Sequence, residues 1–390
     1  MSRTVAFPHR FDGRPLRIAI VGSARFGVTE PFAGGLESHT VTAGLALQRA
    51  GHDVTIFAGP ADEPRRSDID VVPIVDSTLD TTSVERADTQ MSPEASEHMD
   101  RGYRSAMETI GAMRRFDVIH NNSLHPTPVA FDGVLGVPMV HVLHCPPFDE
   151  LTDAHQARIR RFGSGSVIAV SAGLGRAWPG ICTAVVPNGV PVHLWRPDSA
   201  GASSERCVWV GRIVPEKAPH LAIDAARLAG RPIVLAGPVQ HRGYFDDEIA
   251  PRLGDDATWV GHLCHDSLGR LIGDSAVGVV TPLWDEPFGL VVAEMLACGT
   301  PVAATDRGAI ASFVNPAVAA ISALETPASV AAAIDRAAGL DRKACRRHAA
   351  ARLSDDRMVE SYVAHYRAAI AGSTGDAHSS WPAMIGATGG

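Results

Sequence analysis

Short apolar runs alternate with stretches of helical spacing along this chain, and that alternation restricts it to an α/β fold built on parallel sheets. Residues 16–22 (LRIAIVG) read as a buried strand. Residues 35–50 read as a helix with apolar positions at Leu36, Val41, Leu45 and Leu47, and residues 54–58 as the next strand. This is a βαβ opening. Further strands are expected at 117–120 (DVIH), 137–143, 166–171 (SVIAVS) and 185–190 (VVPNGV), with a helix over about 93–114. A second series follows, with strands at 207–210, 232–236, 258–260, 277–280 and 301–305 and helices at 219–229, 246–253 and 266–272. Two such series imply two Rossmann-like domains facing each other across a cleft. The expected boundaries are residues 1–190, a linker at 191–204, residues 205–354, a C-terminal helix at 355–372 and a disordered Gly/Ser/Ala-rich tail at 373–390.

Composition excludes several function classes. The net charge is −8 and the pI about 6.1, so no nucleic-acid footprint is expected. The six cysteines are spread out with no CxxC pair, which suits reduced thiols and neither a zinc site nor a disulfide framework. Residues 1–15 lack the apolar core of a signal peptide, and no apolar run reaches membrane-spanning length. A cytoplasmic location follows as the expectation. Arg158, Arg160 and Arg161 form a small basic cluster, read as a solvated helix face because no apolar stripe supports membrane insertion.

Two motifs carry chemistry. Residues 286–294 (EPFGLVVAE) follow the apolar run 277–282 and a short loop at Trp284 and Asp285. Gly289 opens a helix there, and its first turn offers free N–H groups and the positive end of the helix dipole, a ready phosphate site. Glu286 lies before that helix and Glu294 within it, and carboxylates are good acceptors for sugar hydroxyls. The second motif, residues 211–217 (GRIVPEK), places Arg212 and Lys217 between a strand and a helix. Only Lys217 and Lys343 are lysines in the chain. Two cations there suit a leaving diphosphate. In the first half, Gly34 and Gly35 start a helix where backbone can approach a ligand; His120 ends a strand, and Asn121, Asn122, Ser123, His125 and His144 follow carboxyl ends of strands, where α/β sheets bind ligands.

EPFGLVVAE with ACGTPV behind it and GRIVPEK before it resemble glycosyltransferase family four, the retaining enzymes of GT-B fold. AGGLESH at 33–39, DVIH, AVS at 169–171 and VVPNGV look like that family's other landmarks in order, over roughly residues 16–370. The resemblance implies a C-terminal helix crossing back to the first domain. It implies that Glu294 takes the ribose hydroxyls, Glu286 the donor sugar, and Arg212 and Lys217 the diphosphate. The backbone of Phe288, Gly289 and Leu290 would reach sugar and phosphate, Gly35 would close on the phosphate, and the segment ending at Leu263 would lie by the base. It further implies same-face attack with no protein nucleophile, no metal and no cofactor, the nucleotide sugar (UDP by preference) being a co-substrate. Two positions depart from the family pattern. Asn122 stands where relatives carry a second histidine, leaving His120, Asn122 and His125 as alternative donor contacts. Ile310, Ala311 and Ser312 replace a Pro-Glu pair.

The acceptor is not decoded: a small molecule, a glycan or a lipid-linked compound all fit. A sugar-nucleotide epimerase or hydrolase on the same fold, and a non-catalytic nucleotide-sugar-binding module, are the alternatives. A dehydrogenase is disfavoured, because GSARFG follows the first strand in place of G-x-G-x-x-G.

Overall fold

The protein is described by a computed structural model covering residues 13–60, 69–75, 92–195 and 204–375. The first half runs β1 (Arg17–Val21), α1 (Gly35–Arg49), β2 (Asp53–Ala58), β3 (Asp70–Pro73), α2 (Pro93–Met113), β4 (Val118–Asn121), α3 (Pro126–Ala130), β5 (Met139–Leu143), α4 (Asp149–Phe162), β6 (Ser166–Ala169), α5 (Ala172–Ala177) and β7 (Ala184–Val185). These strands form one parallel sheet in the order β3-β2-β1-β4-β5-β6-β7. Alternate residues of β1 feed opposite faces. Ile18 and Ile20 pack with Val41, Ala43 and Leu47 of α1, while Ala19 and Val21 pack with Met99, Tyr103 and Met107 of α2.

The second half runs β8 (Cys207–Val210), α6 (Pro219–Leu228), β9 (Ile233–Ala236), α7 (Arg242–Tyr244), β10 (Ala257–Trp259), α8 (His265–Asp274), β11 (Val277–Val280), α9 (Leu290–Ala297), β12 (Val302–Thr305), α10 (Ile310–Phe313), β13 (Ala319–Ser322), α11 (Pro327–Ala338) and α12 (Arg342–Arg352). Its parallel sheet is ordered β10-β9-β8-β11-β12-β13. In both sheets the strand order reverses direction beside the first strand, and such a switch point opens a crevice at the carboxyl ends.

Four sequence expectations differ from the structure. Of the run 185–190 only Val185 lies in the sheet, in the two-residue strand Ala184–Val185; Pro187 has no N–H to offer a ladder. The helix expected at 246–253 is broken into a π turn, Phe245–Ile249, and a 3-10 turn, Ala250–Arg252, with Pro251 interrupting the hydrogen bonds. Arg158 is buried, donating through Nε to Asp132 at 2.6 Å, so it belongs to the interior and not to a solvated face. Residues 373–375 continue the last helix, α13 (Asp355–Gly375); the rest of the expected tail and most of the linker lie outside the described residues. The edge strands β3 and β13 had no distinct sequence signal.

The halves are tied by α13 and by the strap after β7. Met358, Tyr362 and Tyr366 of α13 join one apolar core with Ile18 and Leu47 of the first half and Val292 and Leu296 of the second. Arg49 of α1 pairs with Asp355. Val190 and Ser354 form a parallel bridge where the chain crosses between halves twice. The Arg346 guanidinium donates to the carbonyls of Val192 and Trp195 in the strap and of Ala297, the last residue of α9. No helix among the described residues is long and apolar enough to cross a membrane.

The crossing leaves no room for a side chain at Gly189, where an added Cβ would lie 2.6 Å from Asp355 Cα and from the Ser354 carbonyl oxygen. Gly189→Ala is expected to cost about 1–3 kcal/mol by overpacking. Thermal unfolding checks it; an unchanged midpoint would show that the crossing yields.

Candidate functional site

One wall of the cleft is made by the two loops that leave β8 and β11. Gly211 lies so close to Gly237 that a Cβ on Gly237 would come 1.8 Å from the Gly211 carbonyl oxygen. The next residue, Arg212, donates from Nη1 to Gln240 Oε1 at 2.5 Å. A 3-10 turn, Pro215–Lys217, then brings Lys217 back toward β11. Thr281 fixes that turn, its hydroxyl lying 3.2 and 2.9 Å from the carbonyl oxygens of Lys217 and Ala218. Lys217 Nζ reaches Glu286 Oε2 at 2.5 Å. The Trp284 indole donates to the same oxygen at 3.1 Å, with its ring centroid 5.3 Å from Lys217 Nζ. The Glu286 backbone is braced in turn. Ala309 N–H donates to its carbonyl at 2.9 Å, and a Cβ on Gly308 would lie 2.2 Å from Glu286 N.

Gly289 turns the chain into α9 with φ +94°, a left-handed value that favours glycine. No side chain caps this N-terminus, so its N–H groups stay available to a ligand. The Phe288 ring is packed inward on Phe313, with centroids 4.7 Å apart, which leaves its backbone to the cavity. One turn on, the Glu294 carboxyl is pushed up to about 7, chiefly by burial, with His265 opposing.

The facing wall comes from the loop after β1. A Cβ on Gly35 would lie 3.3 Å from Leu290 Cδ1, so the first residue of α1 touches the first turn of α9 across the cleft. Glu30 clasps the second half directly. Its carboxylate takes the backbone N–H of His265 at 3.1 Å and lies 3.2 Å from Nδ1 of the same residue. Trp195 and Phe32 stand edge-on to that imidazole, with centroids at 4.6 and 5.5 Å. Burial works against a charge on His265, but the Glu30 hydrogen bond and the charges of Glu294, Glu30 and Asp266 outweigh it and raise its pKa.

These walls enclose a cavity of about 340 Å³. Of the residues singled out from sequence, Gly34, Gly35, His144, Arg212, Lys217, Leu263, Glu286, Phe288, Gly289, Leu290 and Glu294 line it. His120 and Asn122 do not. His120 is fully buried, its Nδ1 lying 2.6 Å from the Tyr366 hydroxyl and its Nε2 3.0 Å from Asn122 Oδ1. It therefore cannot touch a ligand in the cavity and can act only through Asn122. His125 caps α3 and stacks on Tyr103 at 4.5 Å, off the cavity. Sequence reasoning missed Glu30, His265, Trp195 and Gln240. Glu30 and His265 are 235 residues apart, and no local pattern links them. Trp284, placed only in a loop, had the one available signal: its position beside the EPFG motif.

Two family models match this architecture half by half: "Glycosyltransferase Family 4" over residues 33–194 and "Glycosyl transferases group 1" over residues 200–352. The chain belongs to glycosyltransferase family 4. The D-inositol 3-phosphate glycosyltransferase of Mycolicibacterium paratuberculosis is 32% identical to it over 217 residues, 48% of this chain and 47% of that protein. The chain thus spans about half the length of the curated relatives it matches. Among solved structures, Anabaena HepE in complex with UDP and glucose aligns with a TM-score of 0.68 at 17% identity, covering 90% of this chain and 98% of that one. Sucrose-phosphate synthase from Thermosynechococcus elongatus aligns at 0.69 and 20% identity, covering 92% and 100%. These likenesses carry the fold, which is GT-B.

Both shifted groups at the clasp have the same pH sense. His265, raised, favours the folded state below its ordinary pKa and loses that contribution as pH climbs through its folded value. Glu294, raised to about 7, is stabilising when protonated and increasingly costly above the ordinary carboxyl range. The unliganded protein should therefore lose stability as pH rises from about 5 to about 8, more than Glu294→Gln does. Thermal unfolding across that range reads the difference; parallel curves would remove Glu294 from the account.

Proposed function

We propose that this protein transfers a sugar from a nucleoside diphosphate sugar, with UDP as the nucleotide, to a hydroxyl acceptor with retention of anomeric configuration. The observation that carries the reading is the meeting of Arg212, Lys217, Glu286 and the uncapped start of α9 in one cavity. Positive groups suited to a diphosphate there adjoin a carboxylate suited to sugar hydroxyls. In the reaction, the bond from the anomeric carbon to the diphosphate oxygen breaks, and the diphosphate leaves with the electron pair. The acceptor oxygen attacks from the same face, and its proton passes to a phosphate oxygen.

Arg212 and Lys217 take up the charge that develops on the diphosphate, with the N–H groups of Gly289 and Leu290. Lys217 must then share itself between Glu286 and phosphate, and Glu286 turns its freed lone pairs to the donor sugar. Glu294 accepts from the ribose, which favours its ionised form. The segment ending at Leu263 lies by the base, and Gly35 closes over the phosphates. The name of the curated relatives makes D-inositol 3-phosphate the first acceptor to assay, and UDP in the HepE complex supports the choice of nucleotide.

Lys217→Ala should lower turnover by roughly 10²–10³-fold while nucleotide binding weakens much less. Glu286→Gln should likewise lower turnover more than it weakens UDP binding, since its contact is to the transferred sugar. Steady-state kinetics with UDP calorimetry separate the two effects, and full activity in Lys217→Ala would mean that the diphosphate is held elsewhere. The reading as a whole is tested by incubating UDP-sugars with acceptors and following products by NMR. A new glycoside of retained configuration supports transfer. Epimerised or merely hydrolysed donor would point to the other enzyme classes, and binding without turnover to a binding module.

A further inference from the structure

The two cations of the cavity, Lys217 and Arg212, are held by partners of different charge. Lys217 meets a carboxylate, Glu286, at 2.5 Å. Arg212 meets an amide. Its Nη1 lies 2.5 Å from Gln240 Oε1. A guanidinium only donates, so the atom that faces it must be the amide oxygen and not the amide nitrogen. Among the described residues no carboxylate pairs with Arg212. The guanidinium therefore keeps its whole charge, and the bond to Nη1 leaves Nε and Nη2 to a ligand.

Gln240 is buried and does not line the cavity, whereas Arg212 does. The loop that carries Gln240 leaves β9 and is zipped onto the loop that leaves β8. Ile213 N–H donates to the Pro238 carbonyl at 2.8 Å, and Ile213 and Val239 form a parallel bridge. His241 N–H then returns to the Ile213 carbonyl at 3.3 Å. The start of this loop is anchored as well. Gly237 N–H donates to the Gly261 carbonyl at 2.8 Å, and the Gly237 carbonyl accepts from the Trp259 indole at 3.0 Å. Gln240 thus offers a fixed acceptor to a side chain that would otherwise have to give up much rotamer freedom on meeting a ligand.

We infer that Gln240 is the positioning residue that aims Arg212 at the diphosphate without compensating its charge, so that phosphate is received first by Arg212 and then by Lys217. The inference rests on the proposed function for the identity of the ligand. The amide and its isosteric carboxylate differ in what they would do here. A carboxylate would hold the guanidinium as firmly, but it would cancel the charge that draws an anionic ligand. With Glu286 already on Lys217, it would leave Lys217 and Arg212 compensated alike. An apolar side chain would keep the charge and lose the aim. An amide alone combines a fixed direction with an intact cation.

Calorimetry of the full-length protein with UDP, inorganic pyrophosphate and uridine, at low and high salt, tests this. Gln240→Glu should weaken UDP and pyrophosphate by about tenfold and leave uridine unchanged. It should also flatten the salt dependence of UDP binding, because the local positive charge is gone. Gln240→Met should weaken UDP by only about threefold, the effect of freeing one long side chain, and keep the salt dependence. In an Arg212→Met background Gln240→Met should change nothing further, since Gln240 acts through Arg212. Wild-type affinity for UDP in Gln240→Glu would overturn the inference. So would an equal loss of uridine binding, which marks a damaged fold, or a Gln240→Met effect that survives Arg212→Met. A wild type that binds UDP but forms no glycoside defeats the proposed transfer and leaves these binding comparisons in force. One that binds neither UDP nor pyrophosphate defeats both.

Discussion

The ion pair between Lys217 and Glu286 holds together the loops that leave β8 and β11, the two strands flanking the switch point of the second sheet. With side chains 21% and 13% exposed, both charges are largely withdrawn from water, so each needs the other. Trp284 completes the arrangement by donating to the same carboxylate oxygen and covering the ammonium. Everything else on this wall supports it: Thr281 beneath the 3-10 turn, and Gly308 and Ala309 against the Glu286 backbone. A ligand that brings phosphate to Lys217 does not find a vacant cation. On the proposed function it exchanges one anionic partner for another, which leaves the displaced carboxylate free to accept from a hydroxyl group.

The facing wall has a different logic. It offers backbone at Gly34 and Gly35, a neutral imidazole at His144 and one carboxylate, Glu30, already engaged with His265. Charge is thus concentrated on the second half, and the first contributes shape and directed hydrogen bonds. The Glu30 clasp and the Gly35 contact with Leu290 bring the walls together at two points near α9. Glu294, one turn inside that helix, inherits its raised pKa from this enclosure.

Much of the fold was legible because parallel strands buried on both faces announce themselves as short apolar runs. The weak edge strand Asp70–Pro73 and the interrupted stretch Arg242–Arg252 were not, since their patterns are short and Pro251 breaks the second. The EPFG wall was legible because its chemistry is contiguous in sequence. His120 shows the opposite case. Sequence placed it near a strand end but could not say which face it takes. That face is covered by α13, whose Tyr366 lies 246 residues away. Asn122 read as a loss relative to the family pattern, whereas in three dimensions it joins His120 to His144. Arg158 read as surface charge because its partner, Asp132, belongs to a different turn of the chain.

The double crossing at Val190 and Ser354 joins the two halves through two adjacent segments. Arg346 fastens the strap at Val192 and Trp195 to the end of α9, so the strap beyond Val190 travels with the second half. On the other side, Asp355 is fastened to Arg49, so α13 travels with the first. What is left between these anchors is a pair of short parallel segments, bridged to each other and lacking space for a side chain at Gly189. Mechanically this is a leaf spring of two strips bonded side by side. A side chain at Gly189 would wedge these two strips apart, and with them the anchors on either side.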